Sequence, residues 1–224
     1  MEKMGKRFGK QTIQDVAGED VAEKPLLMAV CVPDTNGKWH SKFGECLASM
    51  VTHFTEIART GDKIEVISKS GPIMPEVRHR CIGEAMLKQA THIMMLAPNM
   101  SFPKDSLERL LNRNKHAVGV NYLRDYKVRE FAAYRNGITV KPDPAVPEVE
   151  NVDGVALGMV LFNTTVFDAI KLPFFKYKQI GDTPGFCEDY IHFWKLLSDE
   201  GIECFIDHEL STETRNLEYD IVWH

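Results

Sequence analysis

Several familiar signatures are missing from these 224 residues. The five cysteines (Cys31, Cys46, Cys81, Cys187, Cys204) are odd in number and form no C-x-x-C. That excludes a zinc ribbon or dithiol redox motif, and scattered thiols fit a reducing compartment, the cytoplasm. No apolar run approaches the roughly 20 residues that span a bilayer. The stretch MEKMGKRFGKQTIQDVAGEDVAEK is charged and has no signal-peptide core, so residues 1–24 read as an arm ahead of a single domain over 25–224. A basic surplus is missing too. Lys and Arg total 27 against 32 Asp and Glu, giving a net charge of −5 and a pI near 5.9, which argues against generic nucleic-acid binding. No G-x-G-x-x-G follows the first apolar run, and neither G-x-x-x-x-G-K-[ST] nor G-x-S-x-G occurs. A dinucleotide dehydrogenase, a P-loop enzyme and a hydrolase elbow are therefore disfavoured. The eight histidines are dispersed, with no H-E-x-x-H.

What is present is a regular alternation. PLLMAVCVP is a short continuous apolar run, the mark of a strand covered on both faces. Phe43, Leu47, Met50, Phe54 and Ile57 then recur at helical spacing. DKIEVISKS alternates like a strand. The next helix has Pro75 at its start and Val77, Cys81 and Ala85 inward, flanked by Ile82 and Met86. THIMMLA and HAVGVNY predict two more strands. Between them lies a helix capped by Ser101, with Pro103 in its first turn and Leu107, Leu110 and Leu111 inward. This rhythm predicts an α/β fold, a mostly parallel sheet with helices on both faces. Beyond residue 121 the pattern becomes irregular, with a hairpin expected across Asn136-Gly137. VDGVALGMVLFN reads as a strand and TTVFDAI as a short helix. KLPFFKYKQIGDTPGFC reads as a long loop whose exposed LPFFKYKQI could serve as an acceptor lid or a subunit contact. In EDYIHFWKLLSDEG, Tyr190, Phe193, Trp194 and Leu197 share a face, and IECFID is a last strand. The tail from His208 shows no period.

In open α/β sheets ligands bind beyond the carboxyl ends of the strands. Those places are Pro33-Asp34, Ser68 to Ser70, Ala97 to Asn99, Asn121 to Arg124, and His208. Arg78 lies near the start of the second helix. Glu188-Asp189 opens a helix after the long loop, where acids also stabilise the helix simply through its dipole.

Residues from about 26 to 217 resemble GT-A-fold glycosyltransferases of the family 2 type, in the compact form common in bacteria and phages. The resemblance rests on the order and spacing of VCVPDTNGKWHSKFGECLASM, MPEVRHRCIGEAMLKQATHIMML, FPKDSLERLL, AVGVNYLR, VDGVALGMVLFNTTVFDAI and GFCEDYIHFWKLLSDEGIECFIDHEL. It implies transfer of a sugar from a nucleotide-activated donor to a hydroxyl acceptor, with inversion. Asp189 would be the base that deprotonates the acceptor, supported by Glu188. Pro33 and Asp34 would contact the nucleoside, and Arg78 would sit near the donor. Asp153 and Gly158 would lie on the acceptor side, although Asp153 could equally cap a turn.

One motif departs from the family. Its Asp-x-Asp, which holds a divalent cation on the donor diphosphate, is Ala97-Pro98-Asn99 here, and a second ligand position aligns with Asn216. Neutral amides hold Mg²⁺ or Mn²⁺ poorly, so no cofactor is expected, with His208 the one remaining histidine in a position to contribute. Two readings follow. In the first, transfer proceeds with weak or no metal dependence, and Arg124 or Arg215 replaces the cation beside Asn99; each arginine could equally be a solvated surface charge. In the second, the chain is a non-catalytic descendant that acts as a binding or assembly subunit. The surviving Glu188-Asp189 pair favours the first. A homo-oligomer or a partner subunit is compatible with both.

Overall fold

The computed structural model describes residues 25–125, 127, 129–146, 149–179 and 186–218. The expected arm over 1–24 therefore lies outside the described residues. β1 (Leu27–Asp34) is buried at every position after Leu27, as an apolar run covered on both faces must be. α1 (Ser41–Ile57) starts at His40, whose Nδ1 accepts from the Lys42 amide at 3.2 Å. Its Phe43, Cys46, Leu47, Met50 and Phe54 face inward, whereas Ile57, at the last turn, is exposed rather than packed. β2 (Lys63–Ser70) buries only Ile67. α2 (Met74–Leu87) carries Pro75 in its first turn and buries Val77, Cys81, Ile82 and Ala85.

β3 (His92–Leu96) is followed by a two-residue β4 (Met100–Ser101) and then by α3 (Ser106–Asn112). The expected Ser101 cap is thus corrected: the cap position is Asp105, and Ser101 pairs in a strand with Arg215. A strand partner over a hundred residues away decides this position, and no local signal announces it. β5 (Ala117–Val120) is fully buried.

The irregular stretch is built from short pieces: β6 (Leu123–Asp125), β7 (Glu130–Phe131), β8 (Ala133–Arg135) and β9 (Ile138–Thr139). β8 and β9 form the expected two-residue hairpin, with Asn136 and Gly137 at φ 52° and 72° as a type I′ turn requires. Next come β10 (Val149–Val152), β11 (Gly154–Val155), β12 (Met159–Asn163) and α4 (Thr165–Ala169). The remainder is β13 (Lys178–Gln179), β14 (Phe186–Cys187), α5 (Asp189–Asp199), β15 (Cys204–Asp207), α6 (His208–Glu213) and β16 (Arg215–Asn216). The tail without a period thus holds a short helix and the strand that pairs with β4.

Seven strands form the central sheet in the order β10-β15-β5-β12-β3-β1-β2. β12 runs antiparallel to both β3 and β5, and β10 runs antiparallel to β15. The other five point one way, so their carboxyl ends share one edge. The chain steps outward from β1 to β2 and then back past β1 to β3. Right-handed crossovers in opposite directions set α1 and α2 on opposite faces. The molecule is a mixed α/β fold of Rossmann-like layering, and no helix among the described residues is long and apolar enough to cross a membrane.

Two packing features bear on the site. Phe162, Phe167, Phe175, Phe193 and Trp194 make an aromatic cluster, with Phe175 and Phe193 centroids 4.8 Å apart. The loop expected to expose LPFFKYKQI is therefore only partly open: Phe175 is buried, while Leu172 and Tyr177 are exposed. The small sheet β11-β8-β9 is tied to the main one through Asn121. Its amide donates to the Val140 carbonyl and accepts from the Ala133 N–H, while its backbone N–H donates to Ser211 Oγ.

Candidate functional site

The carboxyl ends of β1 and β3 open into a cleft of about 910 Å³, counted out to open solvent. Pro33 and Asp34 come from β1, Ala97, Pro98 and Asn99 from the turn after β3, and Met74 and Arg78 from the first turns of α2. Leu157 closes one side and Glu218 another. A smaller depression of about 410 Å³ lies at the opposite, amino-terminal end of β1, lined by Lys63, Glu65 and Lys88 among others. It holds no convergent buried polar group, so the larger cleft is the better candidate.

Asp34 is buried, and its Oδ1 accepts from the Asn36 N–H at 3.2 Å. Its Oδ2 is buried without a hydrogen-bond partner among the described residues. Such a group is costly unless something pairs with it. The turn after Asp34 adds Lys38, Trp39 and His40 to the lining. Trp39 is 40% exposed and packs edge-on to Phe43 at 5.2 Å. None of these three is among the residues expected from the sequence. The signal for them was the turn-rich DTNGKWH, where a large aromatic sits in a loop with no periodic reason to be buried.

Arg78 reaches from the cleft to Asp189, and its Nη1 donates to Asp189 Oδ1. The guanidinium also lies 5.7 Å from the centroid of Phe175. Asp189, the first residue of α5, is 1% exposed and does not line the cleft. Its Oδ2 and Arg78 Nε are both buried without hydrogen-bond partners among the described residues. Tyr177, although half exposed, is close by: partial desolvation, then the negative charge of Asp189, push its hydroxyl above the ordinary tyrosine value.

Next to Arg78 on α2, His79 ties the helix to the loop that carries Phe175. Its Nε2 accepts from the Phe174 and Phe175 N–H groups at 2.9 and 3.3 Å, and its Nδ1 meets the Pro75 carbonyl at 2.7 Å.

The remaining expected residues divide sharply. Glu188 pairs with Arg124 at 2.7 Å, and Arg124 also donates to Tyr190 Oη. Burial pushes the Tyr190 hydroxyl up to about 12, with the Arg124 charge opposing it. Arg124 is thus held by an acid and a phenol, and it lies outside the cleft lining. Arg215 is exposed on β16 and is likewise not among the lining residues. Asp153 accepts the Asn136 N–H at 2.6 Å, so it braces the β8–β9 hairpin away from the cleft. Gly158 stands beside the cleft floor, where its carbonyl accepts from the Ala97 N–H at 2.8 Å. His208 is fully buried: its Nδ1 accepts from the Asp143 N–H at 2.9 Å and its Nε2 meets Glu150 at 2.7 Å. With both nitrogens engaged and the ring sealed, it is not placed to ligate a metal in the cleft.

Asn216 does come to the cleft edge, since β16 pairs with β4 and the Leu217 N–H donates to the Asn99 carbonyl at 2.7 Å. The two positions that would carry metal ligands are therefore neighbours. At the two motif positions the donors are neutral: Ala97 offers none, Asn99 an amide, and Asn216 Oδ1 accepts from the Glu218 N–H at 3.1 Å, while the carboxylates in the cleft lining are those of Asp34 and Glu218. Those amides are poor ligands for a hard divalent cation, which prefers charged oxygens. Among the described residues no three His, Cys, Asp or Glu side chains form a metal-holding group.

No protein-family profile and no curated protein sequence matches the chain. Among solved structures it is similar to the one described as A197 from STIV, with a TM-score of 0.56 and 14% identity over 81% of this chain and 82% of that one. At that identity the likeness shows the fold alone. A structure assigned as a glucose-1-phosphate thymidylyltransferase from Bacillus anthracis, in complex with a sucrose, overlaps 66% of this chain and 75% of its own at 13% identity. Its TM-score of 0.34 is too low to carry an argument.

Proposed function

We propose that the protein is a GT-A-like glycosyltransferase that binds a nucleotide-sugar in the cleft at the ends of β1 and β3 and passes the sugar to a hydroxyl acceptor without a tightly held metal. The observation that carries this reading is Arg78, which lines the cleft while its guanidinium bonds the buried carboxylate of Asp189. A fork-shaped cation suited to phosphate oxygens and an acid suited to proton abstraction are thereby in direct contact. In the transfer step the acceptor O–H gives its proton to Asp189. The freed oxygen pair forms a bond to the anomeric carbon, and the bond from that carbon to the diphosphate oxygen breaks with its electrons. Arg78, and Lys38 at the cleft lining, would take up the charge that builds on the leaving diphosphate. Asp34, with a carboxylate oxygen lacking a partner, would receive a ribose hydroxyl or base N–H.

A second reading is favoured by one observation: Asp189 is 1% exposed and sealed behind Arg78, which suits a binding subunit that performs no chemistry. Calorimetric titration with nucleoside diphosphates and their sugars, with and without Mn²⁺, tests both. The transferase reading expects binding that Mn²⁺ does not enhance, together with slow donor hydrolysis that Asp189→Asn abolishes while donor binding survives. Absence of binding to every nucleotide would refute the donor site. Binding with unchanged hydrolysis by Asp189→Asn would remove Asp189 as the base.

A further inference from the structure

Resting on that reading of the cleft, we infer that Arg78 is a latch: it masks Asp189 until the diphosphate of an incoming donor takes over its guanidinium. The donor then uncovers the base by occupying the site, and the protein holds no bare, competent carboxylate without it.

The two engagements of Arg78 draw on one guanidinium, so diphosphate and Asp189 compete for it. Its Nη1 is committed to Asp189 Oδ1, and its Nε has no partner among the described residues. A fork in that arrangement is only partly satisfied, because one of its donor edges is idle in a buried setting. Asp189 is in the same position, with Oδ2 buried and unpartnered. Each member of the pair is thus bound through one atom and unpartnered at another, so a ligand that engages more of the fork can compete for Arg78. A diphosphate offers Arg78 several anionic oxygens and a planar, two-pronged match. Arg78 is placed to accept the exchange, since it lines the cleft and Asp189 does not. Phe175 lies 5.7 Å from the guanidinium carbon and provides a ring face along which the cation can move while it leaves the carboxylate. The sealed base, which by itself favours a non-catalytic protein, becomes the resting state of an enzyme. An acceptor hydroxyl meets Asp189 only when a donor is in place.

The test is an affinity measurement on the full chain with inorganic pyrophosphate as the probe. In the wild type, pyrophosphate must win Arg78 away from Asp189. Replacing Asp189 by Asn removes the charged competitor, so Asp189→Asn is expected to bind pyrophosphate about tenfold or more tightly, the scale of one hydrogen bond to a charged group. A residue that merely holds Arg78 in a binding posture gives the opposite result, weaker binding on substitution. Loss of a negative charge also favours anions in general, and two controls separate that contribution. Glu188→Gln removes an adjacent charge that is bonded to Arg124 instead, and should gain less than Asp189→Asn. In an Arg78→Met background the gain from Asp189→Asn should collapse to the size of that control. Should Arg78→Met fail to fold, the comparison of Asp189→Asn with Glu188→Gln still decides. Equal or weaker binding by Asp189→Asn, with wild type binding normally, overturns the latch and leaves the donor site standing. Binding by neither wild type nor Asp189→Asn overturns both.

Discussion

Adding one methyl group at Gly158 should destabilise the protein by a measurable and diagnosable amount. A Cβ built on this residue would lie 2.4 Å from Tyr122 Oη and 2.5 Å from its Cε1 and Cζ. Real carbons do not approach this closely, so the backbone or the ring must give way. The backbone is held, because the Gly158 carbonyl accepts from Ala97 and its N–H donates to Ala156, each at 2.8 Å. The ring is held as well, since Tyr122 is buried beneath the Arg124 and Tyr190 cluster, where burial pushes its hydroxyl well above the ordinary value. Overpacking of this kind costs about 1–3 kcal/mol, which for a chain of this size lowers Tm by about 2–12 °C. Thermal melts followed by circular dichroism read this directly. The cause is isolated by repeating Gly158→Ala in a Tyr122→Leu background, where the overlap with the ring is gone and the alanine should cost much less. A Gly158→Ala protein that melts with the wild type would refute the reasoning, as would an equal cost in both backgrounds.

Asp207→Ala should be among the most damaging single changes. It removes the 2.7 Å pair with Arg113 and the cap on the Leu210 N–H at 2.8 Å, both from a fully buried carboxylate. A loss of about 3–5 kcal/mol in urea unfolding is expected, and a loss under 1 kcal/mol would mean that the pair contributes little. Stability should also fall in mild acid through His92. Burial lowers its imidazole below the ordinary value, so the unfolded chain takes up that proton first as pH falls. Its contribution is complete above about pH 6.5 and is lost as pH drops through the folded-state value. His192, lowered by burial and by Lys176 and Lys178, acts in the same sense. His92→Asn should therefore flatten, without abolishing, the decline of the unfolding midpoint between about pH 7 and 5, and an unaltered slope would rule out His92 as a contributor.

The parts of this fold that could be read in advance are those whose cause is local. The continuous apolar run of β1 and the spaced stripe of α1 are answers to burial along one element, and the Asn136-Gly137 turn is an answer to a backbone conformation. Ser101 misled because its fate depends on Arg215, a strand partner supplied by the far end of the chain. The site divides in the same way. Pro33, Asp34, Ala97 and Asn99 converge because strand ends in a parallel sheet must converge. The burial of Asp189 under Arg78, 111 residues earlier, and the enclosure of His208 by Asp143 and Glu150 follow from side-chain packing between distant segments. No window of the sequence contains both members of either arrangement, so a helix-opening acid and a strand-ending histidine looked alike until their neighbours were known.

His79 has a mechanical consequence for the residue next to it. By accepting two loop amides on one nitrogen, the imidazole carries its proton on the other, which donates to Pro75. That fixed tautomer rivets the start of α2 to the strap bearing Phe174 and Phe175. The guanidinium of Arg78 and the aromatic plate beneath it therefore ride on one rigid body. In the proposed exchange, motion of the cation between carboxylate and phosphate becomes a rotation of side-chain torsions over that surface and requires no rearrangement of the loop.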